Sequence, residues 1–138
     1  MSFSNYTAQA VLNSLLGKTS AFGALASAPS VHVALSTTAP SEDGTNVTEP
    51  SGSGYARVSA AASDWGSATD ADPSEISNSA DVEFPQATGA WGEVTHFALY
   101  DAATGGNMLA SGELSTSKSP TDGDTPKFAA GSLTITLD

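Results

Sequence analysis

Short runs in which apolar and polar residues alternate constrain this chain most, because they fit strands with one buried face and do not fit long helices. The segment Leu133–Leu137 alternates leucine or isoleucine with threonine, which gives one apolar face and one hydroxyl-bearing face. Upstream, two β-capable runs at 94–100 and 107–112 flank Gly105 and Gly106, a pattern that predicts an antiparallel hairpin. A chain built from such runs is typical of a surface or assembly module rather than of an enzyme.

The same alternation recurs along the chain and predicts about seven short strands in total. Besides the hairpin and the C-terminal strand, the predicted strands lie at 31–35, 54–60, 80–84 and 127–130. No helical pattern separates them, so the crossover helices of a parallel sheet are missing. We therefore expect a mainly β fold, an antiparallel β-sandwich with one N-terminal helix, and a small barrel is the alternative.

The length predicts a single domain over residues 1–138, with the sandwich spanning 31–138. Two stretches rich in Pro, Gly, Ser and acidic residues predict long polar loops near 37–54 and 63–79. Such loops face solvent or a neighbouring protein, so they are candidate contact regions.

The predicted helix covers residues 4–17, with Ser4 as its N-cap and Gly17 as its stop signal. A helix this short is marginal alone, so its apolar stripe must pack against something. Either the stripe packs on the sheet of its own domain, or it docks on a neighbouring subunit. The candidate docking face consists of Val11, Leu12, Leu15 and Leu16.

The chain is strongly acidic, because 15 acidic residues against four basic ones give a net charge of −11. Binding to nucleic acid or to anionic membranes needs clustered cations, so we expect neither partner. The sequence contains no run of about 20 apolar residues and no secretory signal, which predicts a protein that folds in a cytoplasm. The basic residues are scattered, at Lys18, Arg57, Lys118 and Lys127.

Motifs for catalysis and cofactor binding are missing from the sequence. It has no cysteine, no Gly-x-Ser-x-Gly nucleophile motif and no phosphate-binding loop ending in lysine. Two acidic pairs, Asp70 with Asp72 and Asp122 with Asp124, could share a calcium ion, but neither continues into the EF-hand pattern. We therefore expect no enzymatic activity, no cofactor and no metal site.

Two tryptophans, Trp65 and Trp91, are the candidate glycan contacts, because aromatic rings can stack on the faces of sugars. Trp91 stands in a glycine-containing stretch and is the tryptophan that we expect to be exposed. Core packing is the predicted role of Phe84, Phe97 and Phe128.

Several segments of the sequence together resemble a family of small tailed-bacteriophage virion proteins commonly labelled phage tail fibre proteins. The resemblance covers nearly the whole chain. It rests on the segments 2–6, 31–40, 54–58, 77–85, 91–97, 101–107 and 123–138. The chain departs from the usual family pattern in the acidic stretch 64–75, and it has no repetitive fibre shaft.

The resemblance implies a non-enzymatic structural component of a tailed-phage virion, made and folded in the cytoplasm of the bacterial host. Such a module would dock on other virion proteins, either the major capsid protein as a decoration (cement) protein or tail components as a fibre-associated protein. A homo-oligomer or a symmetric array is expected, because virions repeat their subunits. The alternative function is a carbohydrate-binding receptor-recognition module of the tail.

Overall fold

The computed structural model describes residues 4–18 and 30–137, which form one α-helix, one turn of 3₁₀ helix and eight strands. The helices are α1 (Asn5–Leu15) and the 3₁₀ turn Ala62–Asp64. The strands are β1 (Val31–Ser36), β2 (Val58–Ala60), β3 (Ser74–Ser77), β4 (Val82–Glu83), β5 (Val94–Tyr100), β6 (Met108–Lys118), β7 (Lys127–Phe128) and β8 (Thr134–Leu137).

The strands form one larger sheet and two small ones. The larger sheet has the order β2-β1-β5-β6, and the small sheets pair β3 with β8 and β4 with β7. The pairs β1–β5, β5–β6 and β3–β8 are antiparallel. The predicted class is confirmed: the protein is mainly antiparallel β with one N-terminal helix, sandwich-like, and without a closed barrel in the described ranges.

The chain forms two compact units, each assembled from segments that are distant in sequence. The first unit comprises Met1–Pro29, Ala60–Val82 and Phe128–Asp138, and the second comprises Ser30–Ser59 and Glu83–Lys127. Within residues 30–137 the chain therefore passes from one unit to the other inside β2, inside β4 and inside β7. The single domain that the length predicts stays a prediction, and each unit has its own core.

Helix α1 begins and ends on local hydrogen bonds, close to the predicted bounds. The Ser4 hydroxyl accepts a hydrogen bond from the Thr7 N–H at 3.3 Å, as an N-cap does. At the other end Gly17 has a φ of 73°, and the Lys18 N–H donates to the Asn13 carbonyl at 2.7 Å. These are the features of a Schellman motif, in which glycine adopts the left-handed conformation that other residues avoid.

The first unit packs α1 against β3 and β8. Two side chains of the helix also fix the strand-like segment before β3. Asn13 Oδ1 accepts the Ala68 N–H at 2.9 Å, and Gln9 Nε2 donates to the Ala68 carbonyl at 3.0 Å. The helix is therefore integrated into its own unit through apolar and polar contacts.

Strand β3 lies inside the stretch 63–79 that the sequence predicts as a loop, and that part of the prediction is wrong. Ser74 and Ile76 are buried whereas Glu75 is exposed, so β3 does alternate as a strand should. Its pattern is only four residues long and follows an acidic stretch with a proline. The pairing with β8, remote in sequence, makes it a strand.

The second unit is built around β5, which pairs with β1 on one side and with β6 on the other. The predicted hairpin is confirmed, and its second strand runs on to Lys118. Gly112 of β6 lies opposite Phe97 of β5. A Cβ atom at Gly112 would lie 2.7 Å from Phe97 Cε1, so the aromatic ring occupies the space that a side chain would need.

The long polar loop after β1 folds back on the sheet. Val47 packs against a buried cluster of Ala34, Ala98 and Tyr100. The Thr37 N–H donates to the Thr48 carbonyl at 2.9 Å. The loop therefore packs on one face of the sheet, and hydrogen bonds of its backbone and hydroxyl groups hold it there. The composition of the loop does not predict these hydrogen bonds.

We predict that Gly112→Ala lowers the free energy of unfolding by about 1–3 kcal/mol, because the new methyl group overlaps the ring of Phe97. Urea denaturation of both proteins measures the change. Ser111→Ala, at an exposed neighbour on the same strand, is the matched control and should change stability by no more than about 0.5 kcal/mol. Equal stability of the two variants would contradict the close contact.

Candidate docking surfaces

The apolar stripe of α1 divides between the interior and the surface of the first unit. Leu12 and Leu16 are only 2% and 3% exposed, whereas Val11 and Leu15 are half-buried. Leu12 and Leu16 therefore belong to the unit's own core and cannot meet another protein while the helix stays in place. Of the four residues of the predicted docking face, only Val11 and Leu15 are partly exposed, and their docking role stays a prediction.

Both tryptophans that the sequence suggested as glycan contacts are buried, and the expected exposure of Trp91 is wrong. Trp65 is 1% exposed and Trp91 is 4% exposed. Trp91 stands edge-on to Tyr55, with ring centroids 5.2 Å apart, and also contacts Phe84 edge-on at 6.4 Å. Its indole N–H donates to the Ser53 carbonyl at 2.8 Å, so Trp91 is a core residue of the second unit.

The Ser-Gly-Ser-Gly stretch at 51–54 explains why Trp91 is buried. Ser53 and Gly54 both have positive φ, 50° and 78°. A Cβ atom at Gly54 would lie 2.8 Å from the Gln86 carbonyl oxygen, so the two backbones approach more closely than a side chain would allow. This approach presents the Ser53 carbonyl to Trp91. A stretch that resembles a flexible spacer is in fact a tightly packed turn.

Strand β6 is the long exposed edge of the larger sheet, with β5 on its inner side only. Val94 pairs with Lys118 and His96 with Glu113, so the four residues 114–117 of β6 lie opposite the single residue Thr95. We call these four residues the β6 bulge. Ser115, Thr116 and Ser117 in it are exposed, and they form a polar projection from the edge of the sheet.

An ion pair holds the turn that leads into β6. Arg57 donates to Glu49 in bidentate geometry, from Nε to Oε1 at 3.0 Å and from Nη2 to Oε2 at 2.8 Å. Its Nη1 donates to the carbonyls of Ala102 and Gly105 at 2.9 and 2.8 Å, and its Cζ lies 3.7 Å from the centroid of the Tyr100 ring. The guanidinium therefore joins the long loop, strand β5 and the turn at 101–107.

The electrostatic environment of this ion pair favours its charged form. Burial acts to raise the pKa of Glu49, but hydrogen bonds from Arg57 and Tyr55, together with the positive charge of Arg57, outweigh it and leave the pKa below its usual value. Burial is also the main cause of the raised pKa of Tyr55, whose hydroxyl donates to Glu49 Oε1 at 2.7 Å and accepts the Leu35 N–H at 3.0 Å. The pair is thus fully ionised at neutral pH.

The turn at 101–107 also has its own hydrogen bonds. Asp101 Oδ1 accepts the Asn107 N–H at 2.7 Å, and Asp101 Oδ2 accepts from Asn107 Nδ2 at 3.0 Å. The side-chain and backbone hydrogen bonds from Asn107 lower the pKa of Asp101. Together with Arg57 they fix the start of β6, so the exposed edge is presented by a rigid turn.

The role of Arg57 is not predicted from the sequence, although the sequence contains one signal for it. Arg57 is the only arginine in an acidic chain and stands in a strand-like stretch. A single arginine among many carboxylates is expected to form an ion pair with one of them. Nothing in the sequence identifies Glu49 or the carbonyls of the turn as its partners.

The described ranges, residues 4–18 and 30–137, contain neither a metal-binding cluster nor a helix that could span a membrane. No cluster of three or more His, Asp or Glu side chains in them has the arrangement of a metal site. Helix α1 is also too short to cross a bilayer, and no other helix there is long and apolar enough.

The sequence matches the model of a known protein family over nearly its whole length. A family model described as podophage GP4 fiber I protein gp80 matches residues 2–136, which is nearly the whole chain. No curated protein matches the sequence.

We predict that the free energy of unfolding falls less steeply with decreasing pH in the Glu49→Gln variant than in the original protein. Because folding lowers the pKa of Glu49, its contribution to stability is present above the unfolded-state pKa of about 4.5 and is lost as the pH falls through the folded-state value. Urea denaturation between about pH 6 and about pH 3 measures the free energy of unfolding against pH.

The variant should show a shallower fall than the original protein, but not a flat profile, since folding also lowers the pKa values of Asp43 and Asp101. Glu42→Gln changes an exposed carboxylate of the same loop, outside the ion pair, and serves as the matched control. Identical profiles for the two variants would show that the ion pair does not couple stability to pH.

Proposed function

We propose that this chain, which belongs to the family of the podophage GP4 fiber I protein gp80, is a non-enzymatic module attached to the tail-fibre region of a phage particle. Membership of a phage fibre family makes it a structural component of the virion that associates with other virion proteins. The match over residues 2–136 is the observation that carries the proposal. The name of the family favours the fibre region over the capsid shell.

The architecture supports an attached module rather than a fibre shaft. A shaft needs a long repeated or intertwined structure, whereas this chain of 138 residues forms two compact units. A compact module of this kind fits as an adaptor or accessory beside longer fibre components. A decoration (cement) protein on the major capsid protein is the alternative, and the localisation experiment below distinguishes the two.

The β6 edge is the surface that we propose for attachment to another virion protein. Strand β6 is the longest strand of the described chain, and no strand of the sheet pairs with its outer side. Hydrogen bonds of Arg57 and Asp101 hold the turn at 101–107 that precedes it. The exposed side chains of the β6 bulge suit a polar partner surface. Val11 and Leu15 on α1 are a second proposed contact, smaller than the helix face that the sequence suggested.

The carbohydrate-binding alternative receives no support from the two tryptophans. An aromatic ring must present a face to solvent in order to stack on a sugar, and the rings of Trp65 and Trp91 are buried. Receptor recognition would therefore have to use other residues.

We expect a cryo-EM reconstruction of intact particles to show this chain at the tail, at the fibre region. Particles that lack the gene are the control, and their difference map locates the chain. Density repeated over the capsid shell would make it a decoration protein and would contradict the fibre-region assignment. Purified particles without the protein would overturn the proposed role as a virion component.

We predict that the double substitution Ser115→Arg with Thr116→Arg lowers incorporation into particles without unfolding the protein. Both residues are exposed and belong to the β6 bulge, so neither pairs with a residue of β5. The change in folding free energy should therefore stay within about 0.5 kcal/mol. The added bulk and charge should obstruct the β6 edge. Quantitative immunoblotting of purified particles measures incorporation.

The double substitution Ser51→Arg with Thr125→Arg is the matched control for this experiment. It adds the same charge at exposed residues of the second unit that do not belong to β6. Equal incorporation of both double variants would show that β6 is not the attachment surface, while leaving the virion assignment itself intact.

A further inference from the structure

The hydrogen bonds of β5 determine which backbone groups of β6 point away from the larger sheet. The Leu35 N–H donates to the Tyr55 hydroxyl at 3.0 Å, so Leu35 directs its backbone groups away from β5. Phe97, which lies opposite Leu35, therefore directs its own N–H and C=O toward β6. Asp101 confirms this direction farther along, because its N–H donates to the Asn107 carbonyl at 3.2 Å, in the turn before β6.

Alternate residues of β6 then direct their backbone groups to opposite sides. Gly112 lies opposite Phe97 and bonds to β5, so its neighbours Ser111 and Glu113 direct their N–H and C=O groups outward. No described residue hydrogen-bonds to these four groups. Between the turn at 101–107 and the β6 bulge, the edge can therefore form four hydrogen bonds with an added strand.

The same stretch of edge presents a carboxylate. Ser111 and Glu113 are both exposed, and they lie on one face of the sheet because they are two residues apart. The residue of β5 opposite Glu113 is His96, whose Nδ1 lies 2.8 Å from Thr95 Oγ1. No lysine or arginine of the described ranges forms an ion pair with Glu113. Its charge is therefore available to a partner.

The charge at this edge selects the kind of strand that fits it. A strand with an acidic residue opposite Glu113 would be repelled, both by that carboxylate and by a chain of net charge −11. A lysine or arginine at that position would instead form a cross-strand ion pair, which stabilises a sheet. The only cation of β6, Lys118, lies beyond the bulge and opposite Val94, so it does not compensate Glu113.

The β6 bulge limits the length of the added strand. Regular pairing with β5 covers Ala110 to Glu113 and is interrupted over the four residues that follow. The other edges fit such a strand less well, because β2 has three residues and β8 carries no charged side chain.

We propose that a short β-strand of another virion protein adds to β6 along residues 111–113 and places a lysine or arginine opposite Glu113. The larger sheet thereby gains a fifth strand, in the order β2-β1-β5-β6 and then the partner strand. This inference rests on the proposed attachment through β6 and adds the chemistry of the partner.

A proline substitution tests the backbone pairing. Ser111→Pro removes an outward N–H and places its ring where the partner strand would pair, while the hydrogen bonds from β6 to β5 stay in place. The amount of protein in purified particles should fall at least about tenfold. Ser111→Val also removes the hydroxyl but keeps the N–H, so it is the matched control and should stay within about twofold. Immunoblotting measures incorporation, and urea denaturation checks that each variant is folded.

Charge substitutions test the chemistry of the partner without changing the backbone. Purified protein is added back to particles that lack the gene, and the bound fraction gives a dissociation constant. Glu113→Lys places two cations opposite each other and should raise this constant at least about tenfold. Glu83→Lys makes the same charge change at an exposed residue of β4, and it should change the constant by no more than about twofold.

Salt gives a second measurement of the ion pair. Raising the salt concentration from about 0.05 M to about 0.5 M screens exposed charges and should weaken binding of the wild-type protein. Glu113→Gln removes the charge and should reduce this dependence on salt.

Three results would overturn the proposal. Equal incorporation of Ser111→Pro and Ser111→Val would exclude strand addition at this edge. Equal dissociation constants for Glu113→Lys and Glu83→Lys, or tighter binding of Glu113→Lys, would exclude a cationic partner strand. If the double arginine variant of the β6 bulge still lowers incorporation, attachment through β6 stands although the partner chemistry is wrong. The two failures are therefore distinguishable.

Discussion

The ion pair between Arg57 and Glu49 is the interaction on which the second unit most depends. The side chain of Arg57 is 7% exposed, and it donates hydrogen bonds to the long loop and to the turn before β6 while its guanidinium lies over Tyr100. A buried charge without its partner is costly, so each member constrains the other. The loop, the central strand and the turn into the edge strand are thereby fixed by one side chain, and the edge that we assign to attachment is rigid for the same reason.

Asn78 performs the corresponding role in the first unit. It is 2% exposed, its Nδ2 donates to the carbonyls of Ala80 and Ala129 at 2.8 and 3.0 Å, and its Oδ1 accepts the Leu133 N–H at 2.9 Å. Both units therefore use a buried polar side chain to bind backbone groups that no strand satisfies. Such side chains are needed because the strands are short and leave many backbone groups without a partner in a β-ladder, and buried backbone groups must form hydrogen bonds.

The sequence predicts those parts of the fold that depend on local signals. Ser4 and Gly17 mark the ends of α1, Gly105 and Gly106 mark the hairpin, and alternation marks β8. Each signal lies in or directly beside the element that it defines. What could not be predicted depends on contacts between remote segments. Strand β3 forms by pairing with β8, and Trp91 is buried against the carbonyl of Ser53. Leu12 is buried in a unit whose strands β3 and β8 lie far along the chain from α1. The candidate site follows the same rule, since edge-strand status depends on the whole sheet order.

The interleaving of the two units has a consequence for how the protein is made. The second unit needs Lys127 for its last segment, and the first unit needs β8 to complete the sheet beneath α1. During synthesis α1 is therefore produced long before the strands on which it packs. Its leucines cannot be buried until those strands have been made. Neither unit can close before its last segment has been synthesised, so each depends on slow pairing between distant segments rather than on stepwise addition of neighbouring elements.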